Sequence, residues 1–209
     1  MSTVGTVIDE VRAEMNDLTT TRFTADTDIL PFVKRAVRRA NRICQINGME
    51  FSKLFTTIYT TASTAYVSMP TNFDVFIEMY RNDTRAAVPL KTEWQWMELS
   101  GTASAELIGA KLDYANSRIM VRGTPDTSVG LDLWYFPTVD PSAYTTSSTM
   151  PWSGRLDDAI IEYVSLRLKN MDEYNVDAEK ALLADMETAI LNAYHTNQQT
   201  VVDDNGWTE

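Results

Sequence analysis

The chain has 209 residues, room for one compact domain or two small layers around a core, and its 44% hydrophobic and 10% aromatic content is globular rather than disordered. Eighteen Lys+Arg against 29 Asp+Glu leave a net charge of −11, which argues against a protein whose overall field gathers nucleic acid. A single cysteine excludes an internal disulfide framework, and no apolar run reaches the ~18 residues of a membrane helix. Met1 to Thr6 lacks the basic and apolar parts of a signal peptide, so the expected product is made in the cytoplasm and has no membrane partner.

Val4, Val7, Ile8, Val11 and Met15 recur at helical spacing and predict an amphipathic first helix. A Thr-rich run over 19–27 ends it. Asp28 is then the expected N-cap of a second helix, with Pro31 in its first turn, where the missing N–H is harmless. Phe32, Val33, Val37, Ala40 and Cys44 form its apolar face, and Asn47-Gly48 is the expected stop. From Phe51 the composition turns to strand formers. Strands are expected at 53–61, 65–69, 75–80, 85–90, 111–114, 118–121 and 131–136, with a short helix over 93–99 capped by Thr92. Turn chemistry separates them at Ala62-Ser63-Thr64, Asn82-Asp83 and Asn116-Ser117.

The Ser/Thr/Pro-rich stretch 138–153 reads as a hinge out of the sheet. Two helices follow. One is carried by Leu156, Ala159, Ile160, Tyr163, Val164 and Arg167. The other, after a break near Tyr174-Asn175, is carried by Val176, Leu182, Leu183, Met186, Ile190 and Tyr194. Residues 196–209 read as an extended polar tail. The expected fold class is α+β, with N-terminal helices over 1–50, an antiparallel β-rich domain over 51–152, C-terminal helices over 153–195 and the tail.

Little in this chain resembles catalytic chemistry. One Cys and one His cannot build a Cys/His zinc site, and neither a phosphate-cradling glycine loop nor a nucleophile elbow is present. His195 falls at the end of a predicted helix, where a cation is mildly favourable. Cys44 reads as a small buried apolar group. The acidic pairs Asp157-Asp158, Asp172-Glu173 and Asp203-Asp204 point in different directions on a helix, and the first pair suits a helix N-terminus. The expectation is a non-enzymatic protein with no catalytic residue, no cofactor and no metal.

The strongest charge feature is a basic stripe on the second helix: Lys34, Arg35, Arg38, Arg39 and Arg42. Such a helix could enter a DNA groove, or form a solvated face, or meet an acidic neighbour. Residues 155–209 offer such a neighbour, with four Lys+Arg against twelve Asp+Glu, while residues 1–50 carry seven of each sign. Subunit contact is the favoured reading, because complementary charge sets register between subunits. Most of the five tryptophans are expected in the core. Trp152 and Trp207, in polar segments, are the candidate interface anchors, and Val201 with Val202 could pair with a sheet edge.

The ordered pattern resembles a known family. Tyr66-Val67-Ser68-Met69-Pro70-Thr71-Asn72-Phe73 is similar to the Tyr-x-Leu-Pro-x-Asp-Phe segment of tailed-bacteriophage head-to-tail adaptor (connector) proteins, and a strand follows it there too. Their hairpin, turn and proline-ended strand are matched by 118–121, Gly123-Thr124-Pro125-Asp126 and 131–137. Their proline loop and Asp-x-Ala-Ile helix start are matched by Met150-Pro151-Trp152 and Asp157-Asp158-Ala159-Ile160. Asn72 replaces the usual acidic residue, and Gly123 stands where proline is common.

The resemblance covers roughly residues 1–195 and rests on the order of elements. It implies a helical bundle with an inserted β domain, acting in the virion neck between capsid and tail. It also implies a homo-oligomeric, dodecameric ring bound to the portal protein and followed by a tail nozzle or other tail protein. Genomic DNA would pass through the ring without sequence-specific binding. The alternative reading is a DNA-binding regulator using Lys34 to Arg42, and an acidic hydrolase ranks third.

Overall fold

The computed structural model of the chain describes residues 2–17, 22–99, 107–123, 127–170 and 176–203. It combines helices with antiparallel sheets and is an α+β fold, divided into two compact units: Met1–Ser52 with Val139–Glu209, and Lys53–Thr138.

The first unit is helical. Helix α1, Val4–Glu14, is capped by Thr3, whose hydroxyl accepts from Thr6 N at 3.2 Å, and it buries Val4, Val7, Ile8 and Val11. A π-helical turn, Ala25–Ile29, leads into α2, Leu30–Ile46. Asp28 does not cap α2. Its carboxylate reaches back to Thr24, accepting from the backbone N at 2.7 Å and from Oγ1 at 2.9 Å, and so braces the π turn. Pro31 lies in the first turn of α2, and Gly48, at φ +65°, follows its end. Helix α4, Asp157–Lys169, packs against α1, α2 and α5, Val176–Asp203. It buries Ile160, Val164 and Leu168 almost completely, each worth about 1.5–3 kcal/mol of transfer free energy.

Two expectations change here. The stretch expected as a hinge out of the sheet, and grouped with the β-rich domain as far as residue 152, is strapped to the N-terminus: Val4 N donates to Ser148 O at 2.9 Å, Gly5 N to Thr146 O at 2.8 Å, and Met150 N to Ser2 O at 3.0 Å. Residues from Val139 onward accordingly belong with the helices. Helix α5 runs on to Asp203, past the expected start of an extended tail at Thr196. No Gly or Pro interrupts 194–203, and extending a formed helix over Thr and Val costs only a fraction of a kcal/mol per residue. The break expected near Tyr174-Asn175 lies outside the described residues.

The described residues of the second unit hold six strands in two three-stranded antiparallel sheets. One is ordered β1–β6–β3 (Leu54–Tyr59, Gly130–Pro137, Phe73–Arg81), the other β2–β5–β4 (Tyr66–Ser68, Arg118–Arg122, Gly109–Asp113). Both sheets feed one core, with Met79, Leu131, Leu133 and Tyr135 from the first and Val67, Ala110, Ile119 and Val121 from the second. The strand expected over 85–90 is absent. Arg85 turns left-handed at φ +58°, Pro89 has no N–H to give a ladder, and only isolated bridges, Tyr80↔Ala87 and Leu90↔Ala110, form there. Helix α3, Glu93–Glu98, carries the expected cap as a full box between Thr92 and Gln95.

Asp132 of β6, only 2% exposed, fastens the turn after β3. Its carboxylate accepts from Asn82 Nδ2 at 2.9 and 3.0 Å, Thr57 Oγ1 at 2.8 Å and the Arg85 guanidinium at 2.7 Å. Those partners, Asn82 foremost, hold it below the usual carboxylate range.

Candidate functional site

The basic stripe does not act as one surface. Arg35, Arg38 and Arg42 lie on the exposed face of α2, while Lys34 and Arg39 are half-buried. Lys34 Nζ donates to Ser142 O at 2.9 Å and is committed within the unit. Arg39 Nε is buried without a hydrogen-bond partner. Arg35 lies 5.6 Å from the Phe32 ring, and Asp140 is held below the usual carboxylate range by hydrogen bonds from Ser142 first and by the Arg38 charge to a lesser degree. The opposite face of α2 is core: Val33, Ala36, Val37, Ala40 and Cys44 have no exposure. Three cations therefore face outward at i, i+3 and i+7, with exposed Ile46 beyond them.

A second surface on the same unit was not singled out from the sequence. An open groove of about 630 Å³ runs between α1 and α4. Its sides carry Glu10 and Glu14 from α1 and Asp158 and Glu162 from α4. Ala13, Ile161 and Leu166 line it between them, and Lys169 stands at the C-terminal end of α4. All four carboxylate residues are exposed. The signal was present as two i, i+4 acidic pairs, but nothing local says that these helices lie side by side. Beside the groove, Asp157 accepts a hydrogen bond from Ser2 Oγ, and its Oδ1 is buried without a partner. Burial first, then Asp158 and Glu10, push the Asp157 carboxyl above its ordinary range, against the lowering effect of Ser2.

The tryptophans divide differently from expectation. Trp96 is buried with the Arg122 guanidinium 4.7 Å from its ring, but Trp94 is 68% exposed, because a helix of six residues can turn only one of the two inward. Trp134 packs against Phe55 on a sheet face and stays partly exposed. Trp152 is half-buried against the helical core, in a left-handed turn with Ser153 and Gly154. Val201 and Val202 lie within α5 and not in a strand. Trp207 lies outside the described residues.

The described residues contain no group of three His, Cys, Asp or Glu side chains placed to hold a metal ion, and burial pushes the Cys44 thiol up to about 12. No helix in the described residues is long and apolar enough to cross a membrane.

The segment that carries the resemblance has a visible structural role. After β2, Phe73 N donates to Pro70 O at 3.0 Å, closing a turn. Asn72 then clasps the end of β6: its carbonyl accepts from Thr138 N at 2.7 Å, and its side-chain Oδ1 accepts from Tyr135 Oη at 2.8 Å. Phe73 stacks on Tyr135, with centroids 5.5 Å apart. A short polar acceptor before an aromatic is what this clasp requires, and Asn supplies it as Asp would.

No curated protein sequence matches the chain. The family model described as SU10 adaptor protein matches residues 2–205, which takes in both units. The chain belongs to the SU10 adaptor protein family, and its role is that of a structural bacteriophage adaptor working with other phage structural proteins.

Proposed function

We propose that this chain forms a ring in the phage neck, between the portal protein and the tail, and that the ring continues the DNA channel. The observation that carries the reading is the unbroken match of residues 2–205 to a phage adaptor family. Two features support it. The net charge of −11 leaves few sites for phosphate, so DNA passing through is not held. The outward charge on the helical unit is sorted into a cationic face on α2 and an anionic groove between α1 and α4, the kind of unlike surfaces that head-to-tail rings use.

The regulator reading keeps only Arg35, Arg38 and Arg42 for DNA, since Lys34 is tied to Ser142 and Arg39 is half-buried. Electron cryomicroscopy of virions carrying a tagged copy of the chain tests the proposal. Ring density below the portal, labelled by the tag, is the expected result. Labelled density elsewhere in the particle, or steeply salt-dependent duplex binding with no neck density, overturns it.

A further inference from the structure

We infer that the acidic α1–α4 groove of one copy seats the exposed arginine face of α2 from the next copy. This deepens the neck-ring reading and rests on it for the number and closure of the copies.

The two surfaces match in charge, spacing and chemistry. Arg35, Arg38 and Arg42 span about 10 Å of helix at 1.5 Å per residue. Glu10 with Glu14, and Asp158 with Glu162, form two acidic rails, each pair about 6 Å apart along its helix. An arginine laid between the rails can rest its methylene stem on Ala13, Ile161 and Leu166 while its guanidinium meets carboxylates on either side. Lys169, at the end of α4, has the same sign as the incoming helix and limits how far it slides toward that end.

Neither surface is closed by a salt bridge inside its own chain among the described residues. None of the four groove carboxylates has a salt bridge or hydrogen bond from its side chain there, and none of the three arginines forms a salt bridge, although Arg38 bears on Asp140 and Arg35 on the Phe32 ring. The arginine face and the groove share no residue, and α2 turns its other face into the core. Two copies that meet this way each keep one unused surface. The contact is therefore heterologous and adds copy after copy, and it makes a ring where its rotation closes. Duplex DNA is a poorer fit, because the groove that needs a cation would repel phosphate.

Charge reversal tests this in the full chain. One variant carries Arg35→Glu, Arg38→Glu and Arg42→Glu, and a second carries Glu10→Lys, Glu14→Lys and Glu162→Lys. Asp158 stays because it sits in the first turn of α4. Self-association is read by sedimentation at low and high salt, occupancy is read on portal-bearing heads, and thermal melting confirms that each variant is folded.

Each variant alone should associate about tenfold or more weakly than wild type, and the wild-type association should weaken with salt. Mixing the two variants, or combining all six changes in one chain, should restore association, because acidic and basic surfaces are merely exchanged. Association that ignores both reversals, or folded variants that do not rescue each other, overturns the inference. If wild type rings the neck but the reversals leave that ring unchanged, the interface falls and the neck reading stands. If wild type is absent from necks but associates in the charge-dependent way, the neck reading falls and the interface stands.

Discussion

Changing Tyr135 to Phe removes one hydroxyl from the clasp that ties the Tyr66 to Phe73 segment to β6. The hydroxyl donates to Asn72 Oδ1 at 2.8 Å from a side chain only 4% exposed. Asn72 itself is exposed, so water can replace the lost donor, and its acceptor is not left stranded. The cost should be the net value of one neutral hydrogen bond, about 1 kcal/mol, without the further penalty for a buried unsatisfied group. For a unit of this size, melting as an independent cooperative body, that lowers the midpoint by about 4–8 °C.

Tyr135→Leu also removes the stack on Phe73 and leaves a void beside Leu133 and Met79, for a total of about 3 kcal/mol. Differential scanning calorimetry of wild type, Tyr135→Phe and Tyr135→Leu should give that order. A Tyr135→Phe midpoint within 1 °C of wild type, coupled to loss of neck assembly, would refute the reasoning and make this segment a partner contact.

Two further changes have signs that follow from the structure. Ser153, at φ +57° between Trp152 and Gly154, pays for a left-handed backbone with no side-chain hydrogen bond to the described residues, so Ser153→Gly should raise stability by about 0.5 kcal/mol while Ser153→Val lowers it; urea midpoints check both. Asp157 has a raised folded pKa, so its ionised form is unfavourable and Asp157→Asn should be more stable than wild type at pH 7, the gap closing as pH falls toward 3.8; Asp132 has a lowered folded pKa, so Asp132→Asn should be less stable at pH 7, its gap closing as pH falls below 3.8. Denaturant titrations across that range would refute the assignments if the two variants shifted in the same direction.

What could be read from the sequence was what is local. Val4, Val7, Ile8 and Val11 mark α1 by period alone, Thr92 with Gln95 marks α3 by its cap, and Gly48 ends α2 where a positive φ is needed. Where local signals failed, a tertiary or steric reason had overruled them. The 85–90 stretch has strand formers, but Arg85 is drawn left-handed into the Asp132 network and Pro89 lacks a donor. Asp28 is a good cap by type, but Thr24 took its carboxylate first. The 138–153 loop has hinge composition, yet its free carbonyls at Thr146 and Ser148 found the amides of Gly5 and Val4.

The candidate site divides along the same line. Five cations on one helix are visible from spacing, but which of them face outward depends on a carbonyl at Ser142 and on the side of α2 that the core claims. The acidic excess over 155–209 takes in only the α4 side of the groove. Half of the acidic groove comes from α1, where residues 1–50 are balanced overall and Glu10 and Glu14 do not stand out. Only packing α1 beside α4 sets those two carboxylates opposite Asp158 and Glu162, more than 140 residues further along the chain. A balanced segment and an acidic one thus build a single anionic surface together. The chain that makes it carries exposed cations on a third helix, none of them in a salt bridge among the described residues. Charge unmatched within a copy but matched between copies favours addition of the next copy over collapse of the first onto itself.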